Sequence, residues 1–276
     1  MCARYTLTAE EKEVLKENAY TIVGEYKPDP NIAITDFGFV VTADEPNVVQ
    51  RMNFGIVPAD AESKVPQFAS FNIVSEEVLD KPTFAPLLLQ GNTCLVIADG
   101  FYEAEEVTPS DKRPYRFLTE RKLFCFAGLW TEWVDAGSGE IYRTYGIMTC
   151  AANTVVGEIH EARRMPVILP KNSEMMWLNK RLSAAEKLAL CVPYPDHLMN
   201  RYRVSKKVNA VSTKEKPNKD LSLLKEVEDE PRQQSFFTEE QAPSRAKERK
   251  FKNTTKKGKG RKDQDQPPAP DLFNSQ

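Results

Sequence analysis

Five long runs of β-branched and aromatic residues dominate the chain: ITDFGFVVTA (34–43), NTCLVIADGFYEAEEV (92–107), PYRFLTE (114–120), KLFCFAGLWTEWV (122–134) and EIYRTYGIMTCAAN (140–153). Each is bounded by turn formers, which is the pattern of sheet strands. Asp135-Ala-Gly-Ser-Gly139 reads as a hairpin loop between the last two. No repeat and no regular alternation of strand and helix runs through the chain. A doubly wound parallel sheet is therefore disfavoured, and the expectation is an α+β fold with a curved, mainly antiparallel sheet or open barrel and flanking helices.

Helices are few in this reading. Thr8-Ala-Glu-Glu11 has the capping-box spacing, in which the threonine oxygen accepts from an orphan amide and Glu11 reaches back, and predicts a short helix to about residue 18. Further helices are expected near 154–161, 173–179 and 183–190. The body of about 225 residues can bury a sizeable core, and one domain over 2–225 is expected.

Composition narrows the class. The longest apolar runs, FAPLLL (84–89) and CLVIA (94–98), fall far short of the ~20 residues that span a bilayer. The start MCARYTLTAEEKEVLKE lacks the basic region and apolar stretch of a secretory signal, so a cytoplasmic location is expected, nucleoid-associated when on DNA. Five cysteines at 2, 94, 125, 150 and 191 are odd in number and lack CxxC spacing, which argues for reduced thiols over a disulfide framework or zinc site. Only His160 and His197 are present, so neither a metal centre nor a cofactor is expected.

The net charge of −2 conceals an uneven distribution. Residues 226–276 carry eleven Lys/Arg and ten Asp/Glu, and within them 245–262 has ten bases against Glu248 alone. With few aliphatic residues and with PPAP and KKGKGRK stretches, 226–276 is expected to be a disordered tail, since it cannot bury enough apolar surface to offset ordering. The basic segment is a candidate for salt-dependent attraction to phosphates, with a purely solubilising tail as the alternative. Pro270-Asp-Leu-Phe273 is a weak match to a sliding-clamp peptide.

Cysteine at position 2 permits removal of Met1, which leaves a 1,2-aminothiol at the amino terminus. Its amine and thiol both attack aldehydes near neutral pH, first as an imine and then as a five-membered thiazolidine. By itself a second-position cysteine is weak evidence.

Its context is specific. MCARY (1–5), NIAIT (31–35), FGIVP (54–58), FNIVSEE (71–77), CLVIADGFYEAEE (94–106), AGLW (127–130), AAN (151–153), IHEARRMPVIL (159–169), WLN (177–179) and VSKKVN (204–209) follow one another in the order of a known family. Together they resemble the SOS response-associated peptidase family of abasic-site processing proteins, over residues 2–210. That resemblance implies a DNA-damage protein whose mature Cys2 crosslinks to the ring-opened aldehyde of an abasic site in single-stranded DNA. By motif it implies Cys2 as nucleophile, Asn72 as the group orienting the sugar, Glu103 as acid/base and His160 as a second proton-transfer group. It points to Arg4 and Arg164 as phosphate contacts, Thr149 as a further DNA-contacting position, and Phe54 as an aromatic wedge beside the lesion. Read without the family, Asn72 could cap a turn, Phe54 is equally ordinary core, and Glu103 and His160 are a solvated strand carboxylate and a packing histidine.

Several positions depart from the family pattern: Ala3 for glycine, Ile34 for proline, Phe54 and Ala104 for tryptophans, and Val74 for an arginine. Altered or weakened DNA binding with retained crosslinking is the expectation. The competing readings are a peptidase limited to its own terminus and a non-catalytic single-strand-binding module.

Overall fold

All five predicted runs form strands, and the longest divides in two. The computed structural model describes residues 3–228 apart from Asn18, 65–69, 211 and 213–215. Cys2 and the basic and clamp-like segments of the tail lie outside the described residues. So does the whole of a second unit that begins at Pro231.

In chain order the first elements are β1 (Arg4–Leu7), α1 (Glu11–Glu17), β2 (Thr21–Ile22), β3 (Asp29–Ala33), β4 (Phe37–Thr42), β5 (Val48–Phe54), β6 (Asn72–Val74) and α2 (Ala85–Leu89). The long strands follow: β7 (Thr93–Ala98), β8 (Gly100–Thr108), β9 (Asp111–Thr119), β10 (Phe124–Val134) and β11 (Ile141–Ala151). The chain continues through α3 (Thr154–Gly157), β12 (Arg164–Pro166), β13 (Ile168–Leu169), α4 (Lys171–Leu178), α5 (Ala184–Leu188) and β14 (Met199–Arg203).

The strands form two sheets, a five-stranded one in the order β14-β9-β8-β1-β3 and a nine-stranded one. Within the larger sheet β11, β10, β7, β4 and β5 pair in sequence, and β5 returns to β11 through the parallel pairs Asn53↔Thr144 and Phe54↔Tyr145. The α+β, mainly antiparallel expectation stands, with one refinement: this barrel is closed, which removes the free edges an open sheet would leave. The core explains the closure. Phe54 stacks on Tyr145 at 5.3 Å and meets the edge of Tyr5 at 5.8 Å, while Phe126 takes Tyr5, Phe101 and Phe124 edge-on. The Tyr5 and Tyr145 hydroxyls share a hydrogen bond of 2.5 Å beneath Gly38, where a Cβ would lie 2.1 Å from both oxygens. Only glycine fits that approach. On the outside α4 docks through the fully buried Trp177, whose indole donates to the Cys94 and Gly128 carbonyls.

The run NTCLVIADGFYEAEEV changes sheets at Asp99: β7 belongs to the barrel and β8 to the five-stranded sheet. Asp99 also alters the expected first helix. The Thr8 amide and hydroxyl both donate to the Asp99 carboxylate, so the Thr8/Glu11 capping box is not made. Instead α1 begins at Glu11, and the Glu13 carboxylate accepts from the Glu10 amide. The capping box at Ser183 and Glu186 does form, at the start of α5. Past the expected boundary at residue 225, Glu226 bridges Val204 and the Val227 amide donates to the Arg203 carbonyl, so the described body runs three residues further.

Candidate active site

Glu103 lies on β8 opposite Tyr115 of β9. Alternation along the strand puts it on the face of Phe101, which packs against Phe126 of the barrel, so its carboxyl points between the two sheets. It is 7% exposed, and burial pushes its pKa up to about 7, where the protonated form is well populated at neutral pH. The solvated-carboxylate alternative does not describe it.

His160 follows α3, whose start is capped by the Asn153 side chain accepting from the Val156 amide. Arg163, at φ 48°, is in the left-handed region and turns the chain into β12. The turn brings the Arg164 carbonyl to 2.9 Å from His160 Nδ1. The Arg164 amide also lies 3.4 Å from Nδ1, so backbone groups hold the ring by its Nδ1 edge and Nε2 faces Glu103 Oε2, 3.7 Å away. Burial lowers the His160 pKa from its ordinary value, which favours the neutral ring. A protonated carboxyl facing a neutral imidazole can pass a proton in either direction once a reactant draws them together.

Asn72 stands at the head of β6, opposite Ile147 of β11. It is 7% exposed, and both its amide nitrogen and its carbonyl oxygen are buried without a hydrogen-bond partner among the described residues. A buried amide unmatched at both ends costs on the order of 1–3 kcal/mol per group, and such groups ordinarily have a partner. A turn cap would be bonded to backbone, so Asn72 is not one.

The remaining predicted residues occupy different settings. Arg164 makes a two-pronged pair with Glu76, at 2.9 and 2.8 Å, and also donates to the Thr149 carbonyl at 2.7 Å and hydroxyl at 3.2 Å. This contact holds Glu76 near 2, far below the usual carboxylate range. It ties the segment after Asn72 to the strand after His160. Glu76 sits within FNIVSEE, but its partner could not be read there. Arg4 on β1 donates to the Asn31 side chain. Phe54 is 1% exposed and enclosed by Tyr5, Phe71 and Tyr145, so it is core and presents no face for a wedge. Val74 pairs with Thr149, and Ala104 with Pro114.

Four of the five thiols are inert by environment. Burial raises Cys94 and Cys125 well above the ordinary thiol value, Cys150 to about 11 and Cys191 to about 12. A thiol so raised has almost no thiolate at neutral pH.

The family model described as "SOS response associated peptidase (SRAP)" matches residues 1–211. The abasic site processing protein YoqW of Bacillus subtilis is 32% identical over 216 residues, which cover 76% of this chain and 95% of that protein. The abasic site processing protein HMCES of Gallus gallus is 31% identical over 194 residues, 56% of this chain and 55% of that protein. A crystal structure of a protein from Bacteroides thetaiotaomicron superposes with a TM-score of 0.72 at 21% identity, covering 82% of this chain and 100% of that one, a likeness of fold.

Proposed function

The chain belongs to the SOS response associated peptidase family, and from that premise we propose that it processes abasic sites by covalent capture through its amino-terminal cysteine. With Met1 removed, the Cys2 amine adds to the C1′ aldehyde of the ring-opened sugar. The carbinolamine loses water to give the imine, and the thiol sulfur then adds to the imine carbon as its proton passes to nitrogen. One water is released and a thiazolidine joins protein to strand.

The observation that carries this reading is the buried Glu103 carboxyl, its pKa raised to about 7 and facing His160 Nε2 at 3.7 Å. Loss of water from a carbinolamine needs a proton donor that is still protonated at neutral pH, and Glu103 is one. His160 takes or returns the proton as the ring closes. Asn72, with both amide ends unmatched, supplies a donor and an acceptor for sugar hydroxyls. The register of β1 on β8, Tyr5↔Phe101, leads toward Glu103 when carried two residues back to Ala3, the neighbour of Cys2. The other four thiols are raised out of the reactive range, which leaves Cys2 as the candidate.

Arg4, Thr149 and Arg164 are proposed contacts to the strand. For Arg164 a phosphate must displace Glu76 from the same guanidinium edge, which makes that contact exchangeable and salt-dependent. The basic segment 245–262 would add attraction without sequence preference. Among the described residues no helix is long and apolar enough to cross a membrane.

Incubation of the mature protein with single-stranded DNA bearing one abasic site, followed by denaturing electrophoresis, tests the reading. A covalent band with wild type and none with Cys2→Ala is expected. Equal bands from the two proteins, or an intact Met1 by mass spectrometry, overturn it. The family's description as a peptidase supports a second reading, a peptidase acting on its own leading residue, and cleavage of unrelated peptides would extend that activity beyond the terminus.

A further inference from the structure

The proposed nucleophile lies two residues ahead of β1 in the chain, and the ladder of β1 is short. The strand has four residues and pairs with β8 at only two of them, Tyr5↔Phe101 and Thr6↔Gly100. On the other side its register with β3 is irregular between Tyr5 and Leu7. A slip of one residue would shift the terminus by about 3.3 Å and turn every side chain to the opposite face. Tyr5 and Leu7, both fully buried, seat one face of β1 in the core, and the opposite face, with Thr6 and Thr8, has its own restraint.

That restraint is a closed triangle of side chains. The Thr6 hydroxyl donates to Asp99 Oδ1 and accepts from Arg116 Nη2 at 3.0 Å. Arg116 Nη2 also reaches Asp99 Oδ1 at 3.1 Å. The second Asp99 oxygen takes the Thr8 amide, the Thr8 hydroxyl and the Ala9 amide, so one carboxylate grips β1 from both sides of Leu7. The Asp99 amide in turn donates to the Thr6 carbonyl at 2.8 Å. From behind, Tyr202 of β14 accepts from Arg116 Nη1 at 2.9 Å. The triangle itself is buried, with Thr6 at 0%, Asp99 at 8% and Arg116 at 8% exposure. The space is made by Gly100, where a Cβ would stand 2.7 Å from Arg116 Nε and 2.9 Å from the Thr6 hydroxyl.

Buried ion pairs add little net stability compared with apolar packing, and their best-attested use is to specify registry. Here a one-residue slip would take the hydroxyl out of the triangle and leave a charged pair with an empty corner. We infer that Thr6, Asp99 and Arg116 are positioning residues for the amino-terminal reaction: they lock β1 in the one register that directs Ala3, and Cys2 before it, toward Glu103. The inference rests on the reading of Cys2 as nucleophile, and it assigns the three residues no contact with DNA or with the reacting atoms.

The test compares Thr6→Val, which keeps the shape and removes the hydroxyl, with Thr6→Ser, which keeps the hydroxyl. Adduct formation is followed under single turnover across a range of abasic single-stranded DNA concentrations. For Thr6→Val the limiting rate is expected to fall about tenfold or more with the half-saturating DNA concentration unchanged, and Thr6→Ser to stay within about twofold of wild type. Capture of a soluble aldehyde such as glyceraldehyde, which needs no placement against Glu103, is expected to proceed equally in all three. Hydrogen exchange at the Ala9 and Asp99 amides is expected to quicken in Thr6→Val alone, with the barrel amides unchanged. A wild-type limiting rate in Thr6→Val, equal slowing toward DNA and soluble aldehyde, or unaltered exchange at both amides overturns the lock. If wild type forms no adduct, the capture reading falls and with it this positioning role, while the exchange data alone still decide whether the triangle holds β1.

Discussion

Inside the ring of β4, β5, β7, β10 and β11 ring packs on ring: Phe54 on Tyr145, and Phe124 against Phe126, every one of them buried. In the sheet of β1, β3, β8, β9 and β14, Phe101 stacks on Phe117, and beside this pair stand polar contacts: Asp99 with Arg116 and Thr6, Tyr102 donating to the Pro30 carbonyl, and Arg116 donating to Tyr202. Apolar burial supplies cohesion without fixing direction. Hydrogen bonds and ion pairs do have direction, and they hold the Thr6 face of β1, while Tyr5 seats its other face in the aromatic core. The two regions therefore divide the labour, one supplying most of the cohesion and the other the placement, and Glu103 and His160 lie where they meet.

Glu103→Gln should break the comparison hardest on the polar side. Loss of the acid at the junction is expected to slow adduct formation by about 10²–10⁴-fold with little change in folding, read from single-turnover rates and thermal melts side by side. A wild-type rate would remove Glu103 from the chemistry.

On the apolar side, Phe126→Ala should cost about 3–5 kcal/mol in urea unfolding, from lost burial and the cavity left among Tyr5, Phe101 and Phe124. The pH profile of adduct formation in the folded fraction should stay as it is in wild type. A shifted profile would mean that the barrel tunes the site as well as supporting it.

A smaller effect comes from titration. Folding raises the Glu103 pKa to about 7, so the folded chain holds that proton more tightly than the unfolded chain does. Its contribution is full at pH below the ordinary carboxylate value and is lost as the pH rises toward and through about 7. His160 runs the other way: its lowered value contributes above the ordinary histidine range and loses that contribution as the pH falls through it. Chemical-denaturation midpoints from pH 4 to 8 should therefore decline less steeply toward high pH in Glu103→Gln than in wild type. Parallel curves would contradict the buried carboxyl.

Glu76→Gln is expected to have the mildest outcome. With its competitor neutralised, Arg164 becomes more available to phosphate, and affinity for undamaged single-stranded DNA should rise a few-fold at low salt by fluorescence anisotropy. Unchanged affinity would leave Arg164 as a tie between β11 and β12.

How much of this could be read beforehand follows the same division. The long strands were legible because their β-branched and aromatic runs are local. The closure of β5 on β11 was not, because a parallel pairing between Phe54 and Tyr145 leaves no local signature. Thr8 illustrates the limit of short motifs: its capping-box spacing is real, but Asp99, distant in sequence, takes both its donors. Glu103 and His160 are named from motif context, whereas their burial and the 3.7 Å approach between them are tertiary. Phe54 matched a motif and still proved to be core, since an apolar residue in a family block carries no mark of which way it faces. Asp99 stood in the same block as Glu103, and nothing there named Arg116 as its counter-ion.

The separation between Thr6 and Asp99 has a consequence in time. The two residues lie 93 positions apart, and at ~5–20 residues per second a ribosome needs about 5–19 s to make that interval. Throughout that delay the nascent amino terminus has neither β8 to pair with nor Asp99 to grip it. Removal of the initiator methionine, on which the proposed chemistry depends, can therefore precede the pairing of β1 with β8.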